Sequence, residues 1–200
     1  MKKVALVILA IALAVTGCSV FQAITNVSRL KFKINSVAGF KLAGINIENK
    51  KKISDFASVD ALKLSAGFIN GKLPVQFTIY VDAKNPNNGT GGYPRTDVTL
   101  ESFPYKLYID DKETISGDIT SNVMIPGVGE SSIIELNVRL DLIDFFKDQG
   151  YDRIINLALA LGGKNGSTSR IKLKAKPIIS TPFGSIPYPG EITIVDYQFN

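Results

Sequence analysis

FTIYVDAKNPNNG, residues 77–89, is a strand that stops abruptly. Counting from just upstream, Leu73, Val75, Phe77, Ile79, Val81 and Ala83 share one parity. Pro74, Gln76, Thr78, Tyr80, Asp82 and Lys84 share the other. Strict alternation of this length describes a sheet with one face on a core and the other in water. Pro74 stands near the start, where a missing N–H is tolerated. Pro86 then ends the ladder, because it offers no N–H and pushes Asn85 into an extended conformation. Asparagine side chains bond their own backbone two residues on, and Asn87, Asn88 and Gly89 accept positive φ. The NPN segment therefore reads as a structural strand terminator. The rival reading is a calcium loop, with oxygens from Asp82, Asn85, Asn87 and Asn88. It lacks the carboxylates and the closing bidentate Glu that such loops use, so no metal is expected.

Outward from this strand the chain keeps a β rhythm. Leu30, Phe32 and Ile34 alternate after Ser28, and AGINIEN follows with Ile45 and Ile47. Residues 54–70 lose the alternation. Val59, Leu62, Ala66 and Ile69 lie on one helical face, and Gly71 suits the helix end. In TDVTLESFPYKLYIDD the apolar parity slips between Leu100 and Phe103 beside Pro104, which predicts a β-bulge. Asp110-Asp111-Lys112 reads as a turn. TISGDITSNVMIPG and SSIIELNVRL are further strands around a PGVGE turn, with Ile134, Leu136, Val138 and Leu140 buried. DLIDFFKDQG is a short helix. RIINLALALGG alternates at Ile155, Leu157, Leu159 and Leu161, and is expected to be a strand in hairpin with RIKLKAK. STPFGSIPYPG reads as a loop and EITIVDYQF as the last strand. Many short strands with frequent turns give a mainly β chain: an antiparallel β-sandwich, fibronectin type III or immunoglobulin-like, with one or two short helices.

Composition narrows the chemistry. The 200 residues suit one domain, and 45% apolar residues supply a sizeable core. The chain has no histidine, which removes Ser-His-Asp and Cys-His catalysis. Its one cysteine rules out an internal disulfide and a cysteine-based zinc site. That cysteine ends a leader: Lys2 and Lys3, then the 12 apolar residues Val4 to Val15, then Val15-Thr16-Gly17-Cys18. A bilayer span needs ~20 residues, whereas this length suits a signal peptide. The segment resembles a bacterial lipobox, which implies cleavage after Gly17 and lipidation of Cys18. Ser19, where an aspartate would retain a lipoprotein at the inner membrane, favours the outer membrane if the cell has one. The expected organisation is 1–17 signal peptide, 18–27 lipidated tether and 28–200 sandwich.

The remaining charged and aromatic candidates are weak. Loss of Lys2 and Lys3 leaves 21 basic against 18 acidic residues. That is too mild a surplus for a nucleic-acid binder, and no nucleic acid is expected as a partner. Tyr80, Tyr105 and Tyr108 do not share one stacking face. Lys50, Lys51 and Lys52 form the one dense basic run, read as a solvated turn or a contact with an anionic membrane. Lys172, Lys174 and Lys176 share one strand face; a solvated face that guards a sheet edge competes with headgroup contact. Asp110-Asp111 and Asp141/Asp144 occupy a turn and a helix start, which are ordinary structural places. No catalytic residue, cofactor or small-molecule substrate is identified.

Taken in order, these segments resemble a known family. They are the long strand into Asn85-Pro86-Asn87, YKLYIDDKETISG with Gly117, the IPGVGE turn, SSIIELNVRLDLIDFF and PFGSIPYPGEITI. Together, over roughly residues 28–196, they are similar to the LEA14-like family, late embryogenesis abundant group 2, also called the water-stress and hypersensitive-response domain. Residues 36–72, with their extra helix, match it least. The resemblance implies a fibronectin-like sandwich without enzymatic activity. It also implies a part in desiccation or stress tolerance through contact with membranes or client proteins. With the lipobox it gives an envelope protein held to the membrane by a lipid anchor. A structural or adaptor lipoprotein docking an envelope protein partner is the second expectation.

Overall fold

The computed structural model describes residues 21–181 and 184–196. Cys18 and the leader lie outside the described residues. Residues 21–28 are helical (α1), where the sequence suggests only a tether, and Asn26 and Val27 within them are buried. The chain then folds into twelve described strands in three antiparallel sheets.

The long sheet has the order β2-β1-β3-β8, from β1 (Lys31–Leu42), β2 (Ile45–Asn46), β3 (Pro74–Lys84) and β8 (Ser131–Asp141). The strand that opened the sequence reading is its central member. Pro74 to Lys84 pair residue for residue with Asp141 to Ser131 of β8. Every odd residue of β3 from Val75 to Ala83 is buried, as is every even residue of β8 from Ile134 to Leu140. Two bulges bend β1 along β3, between Ile34 and Ser36 and between Ala38 and Lys41.

The other two sheets are the halves of one bent layer. One half is β11-β10-β4-β7, from β4 (Val98–Ser102), β7 (Val123–Ile125), β10 (Ile178–Thr181) and β11 (Gly184–Pro187). The second is β12-β9-β5-β6, from β5 (Tyr105–Ile109), β6 (Lys112–Gly117), β9 (Ile171–Ala175) and β12 (Ile192–Ile194). β4 continues directly into β5, and β9 into β10. Both crossings carry a proline, Pro104 and Pro177, which cannot donate to a ladder. Lys176 N donates to Pro104 O across the bend (3.1 Å). The parity slip near Pro104 is therefore no bulge inside one strand. It is the point where one strand leaves its half-sheet and enters the other. Phe103, fully buried at the bend, packs on Phe32 of β1 with ring centroids 5.5 Å apart. The two layers thus share one apolar core, and the sandwich expected from the sequence is the fold observed. On one side Ile34 N donates to Val195 O and joins the layers (2.9 Å).

Three further helices lie at the far end of the long sheet: α2 (Ser58–Ile69), α3 (Leu142–Phe146) and α4 (Gly150–Gly162). α4 replaces the strand predicted over RIINLALALGG. Alternation there was incidental. Leu and Ala are strong helix formers without the branched Cβ that favours strands. Ile154, Ile155, Leu157, Ala158, Leu159 and Leu161 are buried, and Asp152, Arg153 and Asn156 line one exposed stripe at helical spacing. Gly162 closes α4 onto β1, for a Cβ there would lie 2.0 Å from the Phe40 ring. The segment STPFGSIPYPG, expected as a loop, holds the end of β10 and all of β11, which pair antiparallel.

α2 stands where the periodicity placed a helix, but its faces are reversed. Leu64 is buried and Ala61 and Phe68 are packed against the core, with Phe68 edge-on to Tyr151 (5.5 Å). Val59, Leu62, Ala66 and Ile69 face outward. Residues 36–72 are thus divided: 36–42 complete β1 and 45–46 form β2 in the long sheet, and α2 packs outside it. Among the described residues no helix is long and apolar enough to cross a membrane.

Candidate functional site

The Asn85-Pro86-Asn87 segment sits where the long sheet, the bent layer and α1 meet. Asn85 and Asn87 are completely buried. Asn85 Oδ1 accepts from Asn87 N at 3.1 Å, an Asx turn, and from Asn87 Nδ2 at 2.9 Å. Asn85 Nδ2 donates to Thr96 O at 2.7 Å, just before β4, and to Ile125 O at 3.0 Å, at the end of β7. One side chain on the end of β3 thereby holds two strands of the opposite layer. Asn87 Nδ2 donates to Asn26 O of α1 (2.9 Å), and Thr96 N donates to Asn87 O (3.0 Å). Gly127 completes the packing, since a Cβ there would lie 2.4 Å from Asn87 O. Of Asn87, Asn88 and Gly89, only Gly89 uses a positive φ. The segment is a clasp that ends β3 and joins α1 and both layers.

Beside the clasp, α1 and the start of β4 enclose a cleft of about 210 Å³. Gln22, Asn26, Thr96, Asp97 and, from β10, Ser180 and Thr181 contribute its polar groups. Asp97 is engaged: its Oδ1 accepts from Gly127 N at 2.8 Å and lies 3.8 Å from Arg95 Nε. Amides, hydroxyls and a tied carboxylate can hydrogen-bond a small polar group but offer no proton relay. Among the described residues no three His, Cys, Asp or Glu side chains gather as a metal site.

The other sequence candidates fall apart in space. Gly117 lies opposite Tyr105 in the β5–β6 ladder. A Cβ on it would meet the Tyr105 hydroxyl oxygen at 2.6 Å, so glycine is required for the ring to lie flat there. Burial, with Asp118 second, holds the Tyr105 phenol above its ordinary pKa. Lys172 and Lys174 lie on β9, which is flanked by β5 and β12 and is no edge strand. Lys172 pairs with Asp111 at 2.6 Å, and Lys174 lies 3.8 Å from Glu191. Both ammonium groups approach the Tyr108 ring, at 5.9 and 5.4 Å. Tyr108 donates to Glu113 (2.7 Å), which raises the phenol pKa and, with Lys106, lowers that of Glu113. Lys176 is exposed just past the strand. This face is a mixed-charge lattice in which two of the three lysines are neutralised.

The paired carboxylates have structural posts. Asp110 and Asp111 adopt positive φ in the β5–β6 turn, and Asp110 holds Arg170 at 2.6 Å. Asp141 Oδ1 caps α3 through Ile143 N (3.0 Å) and also accepts from Leu73 N (2.8 Å). Sequence reasoning missed Asn26, Thr96 and Ile125 as partners of the clasp. Each lends the clasp a backbone carbonyl, which no residue type advertises, and Asn26 Nδ2 also donates to Thr96 Oγ1 at 3.1 Å.

The described chain is a two-layer antiparallel β-sandwich with an N-terminal helix clasped to one end. No family model matches it, and neither does any curated protein. Several solved structures do. A crystal structure of a protein from Archaeoglobus fulgidus is 14% identical, over 62% of this chain and 82% of that one, at a TM-score of 0.35. An X-ray structure of a structural-genomics target is 9% identical, over 86% and 90%, at 0.37. The solution structure of a protein described as late embryogenesis abundant is 14% identical, over 94% and 85%, at 0.36.

Proposed function

We propose that this chain is a lipid-anchored cell-envelope protein of the LEA14-like type that protects against water stress by surface contact rather than by catalysis. The observation that carries the proposal is the leader. Lys2 and Lys3, the apolar run Val4–Val15 and Val15-Thr16-Gly17-Cys18 precede the described helical residues 21–28, which the clasp binds to the sandwich. An acyl group on Cys18 would hold the domain next to a membrane with little free tether. The resemblance to the water-stress family supplies the physiological context, and the outer membrane is the favoured location where one exists.

Metabolic labelling with a palmitate analogue tests the anchor. Wild-type protein takes up label and fractionates with membranes, whereas Cys18→Ala does neither. Survival of drying tests the role: deletion of the gene lowers it, and wild type, but not Cys18→Ala, restores it. Absence of label removes the anchor; unchanged survival removes the stress role. An adaptor lipoprotein is the second reading, and the exposed apolar side of α2 is the observation that favours it.

A further inference from the structure

α2 is apolar on two sides, and the domain covers one of them. Ala61, Leu64 and Phe68 face the sandwich. Val59, Leu62 and Ile69 on the other side are 76%, 70% and 82% exposed, and Ala66 between them is exposed too. Single apolar residues on a surface are ordinary, but a contiguous stripe marks a contact. A helix that is apolar all round is normally covered all round.

The rim of the stripe is basic. Lys63 adjoins it on the helix, Lys51 and Lys52 precede the helix, and Lys72 follows it; all four are exposed. Lys164 is brought alongside by its backbone bond to Lys50 O (2.7 Å). None of these five lysines shares an ion pair among the described residues. Asp55 follows the basic run, its carboxylate occupied by the backbone N–H groups of Lys51 and Lys52, and Asp60 in the first turn of α2 is the one acid on the helix.

We propose that the outer side of α2 docks on an anionic phospholipid bilayer. Aliphatic side chains enter the boundary between headgroups and acyl chains, and the lysines settle on the headgroups. A second copy of this chain is the poorer occupant, because a two-fold contact would set one lysine rim against the other. The proposal deepens the membrane-contact reading above by naming the surface and its lipid. β3 runs from α2 at one end to the clasp and α1 at the other, ~35 Å for its length. Docking through α2 is therefore separable from an anchor at Cys18.

The test uses the chain from residue 18 onward with Cys18→Ser, which keeps every described element and carries no acyl group. It is co-sedimented with vesicles of phosphatidylglycerol and phosphatidylethanolamine, and with phosphatidylcholine vesicles. Binding to the anionic vesicles, weakened by salt, is expected. Val59→Ser/Leu62→Ser/Ile69→Ser should unfold at an unchanged temperature and bind at least ~10-fold more weakly. Neutralising Lys51, Lys52 and Lys63 to Gln should cost about fivefold per lysine. Failure to sediment, equal binding to both vesicle types, or a triple variant that binds as wild type overturns the proposal. So does a dimer that the triple variant dissociates, which would give the face to a second copy. The acyl-labelling result stands apart: anchor and docking can fail independently.

Discussion

Asn85 is the residue on which the clasp turns. It donates two hydrogen bonds and accepts two in a site closed to water. Asn85→Ala would leave Thr96 O, Ile125 O and Asn87 N without that partner, and unsatisfied buried groups cost more than a mean hydrogen bond. A loss of about 3 kcal/mol is expected, read from the urea midpoint at unchanged slope. Asn85→Asp should be worse, since it puts a charge against two carbonyl oxygens. At Gly117, alanine would press a methyl group on the Tyr105 ring; about 1–3 kcal/mol of overpacking follows, and part of it should return when Tyr105 is also shortened. Tyr105 adds a pH effect. Its folded pKa is raised, chiefly by burial, so its contribution is full below the unfolded phenol value of about 10 and is lost as pH rises past it. Thermal unfolding followed into alkali should show that decline, and Tyr105→Phe should flatten it.

Among the elements, α2 gives the sharpest contrast. Leu64 and Leu62 are two residues apart on one helix, the first 1% and the second 70% exposed. Leu64→Ala should cost about 2–3 kcal/mol and Leu62→Ala no more than ~0.5, by chemical denaturation of each. The same pair shows what periodicity conveys. Val59, Leu62, Ala66 and Ile69 announce a helix, but the spacing cannot say which of two apolar sides meets the domain. β3 and β8 were legible because each has one wet face, so the period of two survives in the sequence. α4 was not, because the alternation of Ile155, Leu157, Leu159 and Leu161 hid the helical stripe of Asp152, Arg153 and Asn156. The bend at Pro104 left a true trace, a change of parity, whose cause lies in the pairing partners on the far side of the chain. The clasp was legible as a strand end in Asn85-Pro86-Asn87, while its connection to α1 was not, since Asn26 contributes a backbone oxygen. α3 rests on one short-range signal that did hold. Asp141 caps it and also fixes Leu73 N, so Asp141→Ala should lower stability by about 1–2 kcal/mol in the same assay.

At the scale of the whole molecule, the clasp and the exposed helix stand far apart. The clasp and α1 lie at one end of the long sheet, and α2 and its basic surroundings at the other. The lysines of β9 are already paired with Asp111 and Glu191, so replacing Lys172 and Lys174 should leave vesicle binding unchanged while the α2 triple variant weakens it at least ~10-fold. The clasp also has a mechanical consequence. Tension applied through the N-terminal segment enters the domain at α1, immediately before β1. Were α1 joined only to β1, that pull would unzip β1 from its neighbour one rung at a time. The bond from Asn87 Nδ2 to Asn26 O instead diverts part of the load onto β3, and Asn85 passes it across to the other layer. A pull on that end of the domain is thus shared by both layers, like a shackle bolted through two plates.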